Sequence, residues 1–174
     1  LDLSIGRHSG VPLETRGAIA RYDAARDLIQ MYGAAKVPHR TRDGIARVLG
    51  RDPATVHLYE GHVGGGFGVR GEVYPEDVLV CLGALRLGRP VKWIEDRMEN
   101  LQADSFARDY HMKVDLAATK DGKMQALRIK TLADHGYTDA AANPSKYPLG
   151  LFSICTGSYD IKTAFTEADA VYTN

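Results

Sequence analysis

Apolar residues change period several times along the chain, and each change predicts an element. Ala18-Ile19-Ala20-Arg21-Tyr22 and Leu28-Ile29-Gln30-Met31-Tyr32 are short extended runs separated by the polar stretch Asp23 to Asp27, a spacing that suits a hairpin with a longer loop. From Pro38 to Leu49 the repeat becomes helical: Ile45, Val48 and Leu49 share a face, Pro38 suits a first turn, and Gly50 with Pro53 supplies the stop. Thr55-Val56-His57-Leu58-Tyr59 reads as a strand running into Gly61, Gly64, Gly65, Gly66, Gly68 and Gly71. Pro75-Glu76-Asp77 opens the best-marked helix, because two carboxylates meet the positive end of the helix dipole. Its expected core face is Val78, Leu79, Leu82 and Leu85, and Gly88 with Pro90 ends it. Val91 to Ile94 is a short strand, and Asp96 with Glu99 caps a short helix through Leu101. From Tyr110 the period is two: Met112, Val114, Leu116 and Ala118 face one way, Asp121-Gly122 turns the chain, and Leu127, Ile129 and Thr131 return. Beyond Gly136 the chain reads as irregular to about Ala164. Mixed and antiparallel strands with two or three helices predict an α+β fold rather than a doubly wound sheet.

Without repeats or a linker, these elements read as a single domain over residues 1–174. A composition 44% hydrophobic and 25% charged excludes disorder, collagen and coiled coil. The 22 basic residues balance 22 acidic ones, which removes bulk electrostatic attraction to nucleic acid or acidic lipid. No apolar run approaches the roughly 20 residues of a membrane span, and Leu1 to His8 has neither a basic leader nor an apolar signal core. Only Cys81 and Cys155 are present, too few for a disulfide framework, which points to a reducing, cytoplasmic compartment. A start at Leu1 without Met, and a stop at Asn174 within ordered-looking sequence, suggest a piece excised from a larger subunit.

Gly64-Gly65-Gly66-Phe67-Gly68 asks for a special explanation, since glycine costs chain entropy and is kept where backbone turns with positive φ or approaches another group. Such a stretch is either a tight loop or a row of N–H donors for an anion or cofactor. The P-loop pattern fails for want of Lys-Ser or Lys-Thr. Gly66-Phe67-Gly68-Val69-Arg70-Gly71 does satisfy the dinucleotide fingerprint, with Glu95 at the end of the next strand. Its geometry is wrong, however, because Pro75 starts the helix several residues beyond Gly71, and Glu95-Asp96-Arg97 reads as a polar strand exit. The six histidines are scattered without metal-ligand spacing, so no metal ligands are expected from the chain. Cys81 suits a small buried hydrophobe, Arg40, Arg42, Asp43 and Arg47 a solvated helix face, and Ser153, Gly157 and Ser158 make no nucleophile elbow.

Val63 to Gly68, together with Pro12-Leu13-Glu14-Thr15-Arg16-Gly17-Ala18, Gly88-Arg89-Pro90-Val91-Lys92, Glu95-Asp96-Arg97 and Tyr172-Thr173-Asn174, resembles the molybdopterin-binding large subunit of the xanthine dehydrogenase, aldehyde oxidase and aerobic carbon monoxide dehydrogenase family. The resemblance covers nearly the whole chain in order. It implies that Gly65, Gly66, Phe67 and Gly68 face molybdenum bound to molybdopterin or its dinucleotide form. The implied reaction is hydroxylation of an aldehyde or electron-poor heteroaromatic carbon with oxygen from water. The glutamate base belongs to a segment downstream, so no catalytic residue is expected within the chain, and the piece alone is expected to be inactive. Iron-sulfur and FAD domains or subunits are the implied electron-carrying partners. Two positions depart from the pattern. Lys36 stands where a glutamine often meets the cofactor, bringing a charge and three donors or else pointing to solvent. Gly71 stands where purine-oxidising relatives carry a substrate-contacting glutamate, with Glu72 one residue out of register, which argues against purines. The alternatives from other classes are a non-catalytic binding or assembly module, and a dinucleotide-binding domain using residues 66–71.

Overall fold

In the computed structural model, residues 1–33, 36–106, 109–136 and 154–173 are described. The elements are β1 (Asp2–Ile5), β2 (Gly17–Asp23), β3 (Leu28–Gly33), α1 (Pro38–Leu49), β4 (Val56–Tyr59), α2 (Pro75–Leu87), β5 (Val91–Ile94), α3 (Arg97–Ala103), β6 (Tyr110–Ala118), β7 (Met124–Asp134) and β8 (Thr163–Val171). The α+β class follows, with three α-helices and two mixed four-stranded sheets among the described residues. The chain divides into two compact units, Ser9–Ser105 and Leu1–His8 with Phe106–Asn174.

In the Ser9–Ser105 unit the sheet order is β4-β3-β2-β5. The β2–β3 pair is the expected hairpin, with Ala18 opposite Gly33 and Asp23 opposite Leu28. Its turn is built by Asp23, whose Oδ1 accepts the N–H groups of Ala25 and Arg26 at 3.1 and 3.3 Å. Strand β4 adds parallel to β3, and β5 antiparallel to β2. Helices α1 and α2 cover one face, where Ala18, Ala20, Ile29, Met31, Ile45, Ala46, Val56, Val80, Cys81 and Ala84 form the core.

Both helices begin with a proline at the predicted position and end on a left-handed glycine, Gly50 (φ 64°) and Gly88 (φ 63°). Their buried faces match expectation in part: Ile45 is buried, and Leu49, Val78 and Leu85 pack against the core. Val48 instead lies outside the α1 face, where Thr41, Gly44 and Ala46 join Ile45. On α2, Leu79 is 60% exposed while Val80, Cys81 and Ala84 are buried, because a helix apolar on most sides does not reveal by periodicity which side meets the sheet. Asp96 and Glu99 form the predicted capping box of α3, each side chain accepting the other's N–H at 2.8 and 2.9 Å, and the helix runs on to Ala103.

In the other unit the order is β1-β6-β7-β8. The β6–β7 hairpin has the expected register, with Val114 opposite Ile129 and Leu116 opposite Leu127. Strand β1, unread in the sequence, pairs antiparallel with β6, and β8 pairs parallel with β7. Residues 137–153, read as irregular, lie outside the described residues, and 154–162 form turns before β8 starts at Thr163. No helix among the described residues is long and apolar enough to cross a membrane.

Candidate functional site

The glycine-rich segment leaves β4 and closes on a short 3-10 turn at Val69–Gly71 before α2 begins. Its shape is set by one arginine. The Arg70 side chain is 2% exposed, so its guanidinium must find acceptors inside the protein. Nε donates to Gly65 O at 2.8 Å, and Nη2 donates to Glu14 O at 2.7 Å and Thr15 O at 3.0 Å while pairing with the Glu14 carboxylate at 3.0 Å. Glu14 completes the clamp: its Oε2 accepts the Gly64 N–H at 2.7 Å, and its own N–H donates to Gly64 O at 3.2 Å.

Three glycines are required by this packing, Gly65 among them, since its φ is 106° and a Cβ there would stand 2.7 Å from the Phe67 ring. A Cβ on Gly64 would stand 2.4 Å from Glu14 Cβ, and Gly68 has φ 96°, a conformation that side chains disfavour. Gly66 is different, since its φ lies outside the left-handed region and a Cβ there would meet only the Lys36 stem at 3.9 Å. None of the described residues gives a reason for glycine at 66. Phe67 holds a positive φ of 44° and is 74% exposed, a strained aromatic displayed at the surface. Among the described residues the N–H groups of Gly65 and Gly66 meet no acceptor.

Below the loop, the segment leading into β2 is anchored by a buried polar cluster. Arg16 pairs with Glu95 at 2.8 Å, Asp104 at 2.7 Å and Glu76 at 3.1 Å, and lies over the Tyr74 ring at 3.8 Å. Glu95 Oε1 accepts the Arg16 N–H at 2.6 Å and an Asn100 Nδ2 hydrogen at 2.5 Å, and Asn100 also donates to Asp104. Burial works against the Arg16 charge, but Glu95 and Glu76 overcome it and hold the guanidinium above its ordinary pKa. Burial, reinforced by Glu95, pushes the Asp104 carboxyl up against the pull of Arg16. Arg97 ties in the segment's start by donating to Pro12 O at 2.7 Å and Leu13 O at 2.8 Å. Tyr74 joins both layers, its hydroxyl donating to Val69 O at 2.8 Å.

The structure brings Gly65, Gly66, Phe67, Gly68 and Lys36 together. The Lys36 N–H donates to Arg70 O at 3.1 Å, its stem runs past Gly66 and Gly71, and its exposed ammonium has no acidic partner among the described residues. Glu72 is engaged elsewhere, accepting from Arg40 at 3.2 Å, so Arg40 is a tether between α1 and the loop rather than only part of a solvated face. The dinucleotide geometry is absent: Gly71 sits in the 3-10 turn and not in the first turn of α2, and Glu95, 2% exposed, is committed to Arg16 and Asn100. Glu95 is therefore a buried anchor and not a polar strand exit. The sequence reading missed the Glu14–Arg70 clamp and the Arg16 cluster, and the grouping of Pro12 to Ala18 with Glu95 to Arg97 was the signal that could have found them. Among the described residues no three His, Cys, Asp or Glu side chains converge as a metal-ligand set. A surface groove of about 530 Å³ lies elsewhere, on the β1-β6-β7-β8 sheet, lined by Lys113, Lys130, Glu167 and Asp169 among others, and contains none of these residues.

Comparison with known proteins matches residues 1–174 to the molybdopterin cofactor-binding domain family. The chain is 45% identical over 163 residues to the carbon monoxide dehydrogenase large chain of Hydrogenophaga pseudoflava, covering 94% of this chain and 20% of that one. It is 34% identical over 168 residues to the 6-hydroxypseudooxynicotine dehydrogenase complex subunit gamma of Paenarthrobacter nicotinovorans, covering 97% and 21%. Among solved structures, CO dehydrogenase from Oligotropha carboxidovorans superposes with a TM-score of 0.84 at 44% identity, over 99% of this chain and 22% of that one. The chain thus spans about a fifth of the length of these relatives.

Proposed function

The chain belongs to the molybdopterin cofactor-binding domain family, and on that premise we propose that residues 64–71 form one wall of a molybdenum-molybdopterin site in a larger hydroxylase. The residues fit such a group. Among the described residues Gly65 and Gly66 carry two unspent N–H donors suited to an anionic or oxo oxygen, and glycine at 66 admits an approach that none of those residues blocks. That unexplained glycine beside unspent donors is the observation carrying the proposal.

When bound, the molybdenum centre would supply the two-electron acceptor for oxidising the substrate carbon. The chain's own part is to hold and orient. Gly65 and Gly66 would donate hydrogen bonds to it, Phe67 and Gly68 would complete the wall, and Lys36 would place a cation at its edge. The substrate class is an aldehyde or electron-poor heteroaromatic carbon, hydroxylated with oxygen from water by a base outside residues 1–174. Iron-sulfur and FAD domains or subunits would take the electrons onward, and the setting is cytoplasmic. The 45% identity to a carbon monoxide dehydrogenase, against 34% to a 6-hydroxypseudooxynicotine dehydrogenase subunit, favours a second reading in which carbon monoxide is the substrate.

The test is metal and pterin content of the full-length protein, wild type against Gly66→Ala. Because alanine meets no clash at 66, folding should be kept or strengthened by about 0.4–1 kcal/mol, while molybdenum content falls. Full molybdenum retention in that variant would remove Gly66 from the cofactor wall, and a wild-type protein without molybdenum would remove the proposal. Turnover of carbon monoxide, benzaldehyde and quinoline with a dye acceptor separates the substrate readings.

A further inference from the structure

We propose that Glu14 and Arg70 are positioning residues that set the direction in which the loop presents the N–H groups of Gly65 and Gly66. The proposal rests on the cofactor reading above for what those donors meet, but its geometry stands on the chain alone.

A trans peptide unit is planar, with its C=O and the following N–H pointing in opposite directions. Gly64 O accepts the Glu14 N–H at 3.2 Å, so the Gly65 N–H points away from the segment containing Glu14. Gly65 O accepts Arg70 Nε at 2.8 Å, so the Gly66 N–H points away from Arg70. Two successive donors are thereby turned outward by bonds made on the inner side of the loop. No peptide bond among the described residues is cis, and the relation holds at 64–66.

Glycine alone would not keep that arrangement, because it populates both signs of φ readily. The clamp keeps it. Arg70 is immobilised by the Glu14 and Thr15 carbonyls and by the Glu14 carboxylate, and the same carboxylate accepts the Gly64 N–H at 2.7 Å. Turning the Gly65–Gly66 peptide over would break a charge-assisted bond and leave part of a buried guanidinium unsatisfied. Three consecutive peptide groups are thereby fixed, the outer two by the Glu14 and Arg70 side chains and the middle one by the Glu14 backbone N–H. The ligand chemistry selected by the outward pair is an oxygen acceptor, neutral or anionic, and not a cation.

Glu14 is the better site for a test, because its side chain is 43% exposed and its removal leaves no cavity in the core. In the full-length, cofactor-loaded protein, Glu14→Ala should raise amide exchange at 64–66 by about tenfold or more while exchange in β2 and α2 stays unchanged. The Mo(V) electron paramagnetic resonance g-values should shift, and kcat should fall with KM retained. Glu14→Gln, which keeps an acceptor for Gly64, should restore most of each. Unchanged exchange in Glu14→Ala would overturn the clamp. Faster exchange with unchanged g-values and unchanged kcat would leave the clamp standing and overturn the cofactor reading on which its role depends.

Discussion

At Arg16, four acidic or amide side chains converge on one guanidinium and its neighbours, and the consequence of removing any one depends on what is left behind. Glu95→Ala would strand Arg16 with a buried, partly uncompensated charge, and the expected loss is about 3–5 kcal/mol in chemical denaturation. Asp77 behaves differently. Burial pushes its carboxyl above the ordinary value near 3.8, although the Tyr74 N–H it accepts pulls the other way. A carboxyl raised in the folded state stabilises fully below its unfolded pKa and loses that contribution as pH rises through the folded value. The stability of wild type relative to Asp77→Asn should therefore decline as pH rises from about 4, then level off, in unfolding curves measured pH by pH. Lys36 offers a third contrast. It is exposed and has no acidic partner among the described residues, so Lys36→Ala should change stability by less than about 0.5 kcal/mol. If the ammonium meets the cofactor or substrate, the same variant of the full-length protein should lose about tenfold or more in kcat/KM. Residues of this kind were unevenly legible. The glycines announced themselves by composition, whereas Glu95 read as a solvent-facing residue at a strand exit because carboxylates usually are exposed. Glu14 and Arg70 lie 56 positions apart, and nothing local links them.

Among the elements, those with local chemistry at their ends were readable. Pro38 and Gly50 bounded α1, Asp96 with Glu99 marked α3, extended runs across a polar loop gave the β2–β3 hairpin, and alternation gave β6–β7. Faces and non-local pairings were not. Both β4 and β8 join their sheets in parallel, through long connections that leave no local signal, and α2 carries Val78, Leu79, Val80, Cys81 and Leu82 in a row. The face α1 turns inward is set by Gly44, where a Cβ would stand 2.7 Å from Val73 Cγ2. This contact holds α1 against the segment joining the loop to α2. Gly44→Ala should therefore destabilise the fold, because overpacking costs about 1–3 kcal/mol and exceeds the roughly 1 kcal/mol that alanine gains in a helix. Adding Val73→Ala should relieve the clash and recover much of the loss, which thermal unfolding of the single and double variants would measure. Independent, additive effects would contradict the contact.

For the whole molecule, composition gave no hint of the two compact units, since one of them is discontinuous in sequence and no linker separates it from the other. What composition did establish, a net charge of zero, narrows how the chain can associate: long-range charge offers neither attraction to a partner nor repulsion between copies. Apolar surface must then dominate. In the β1-β6-β7-β8 sheet, the register and the two-residue alternation put Leu3, Met112, Val114, Leu116, Leu127 and Ile129 on one face, where Leu3 is 47% and Leu116 52% exposed. A contiguous apolar face of this kind is uncommon on a soluble monomer. Expressed as these 174 residues, the chain should self-associate as its concentration is raised, and added sulfate should strengthen the association rather than dissolve it. Leu3→Lys with Leu116→Lys should shift the population toward monomer in light scattering, since each introduces a charge at the face without touching the core around Ile29 and Ile45. A wild-type chain that stays monomeric, or a double variant that associates as before, would show that this face is not the sticky one.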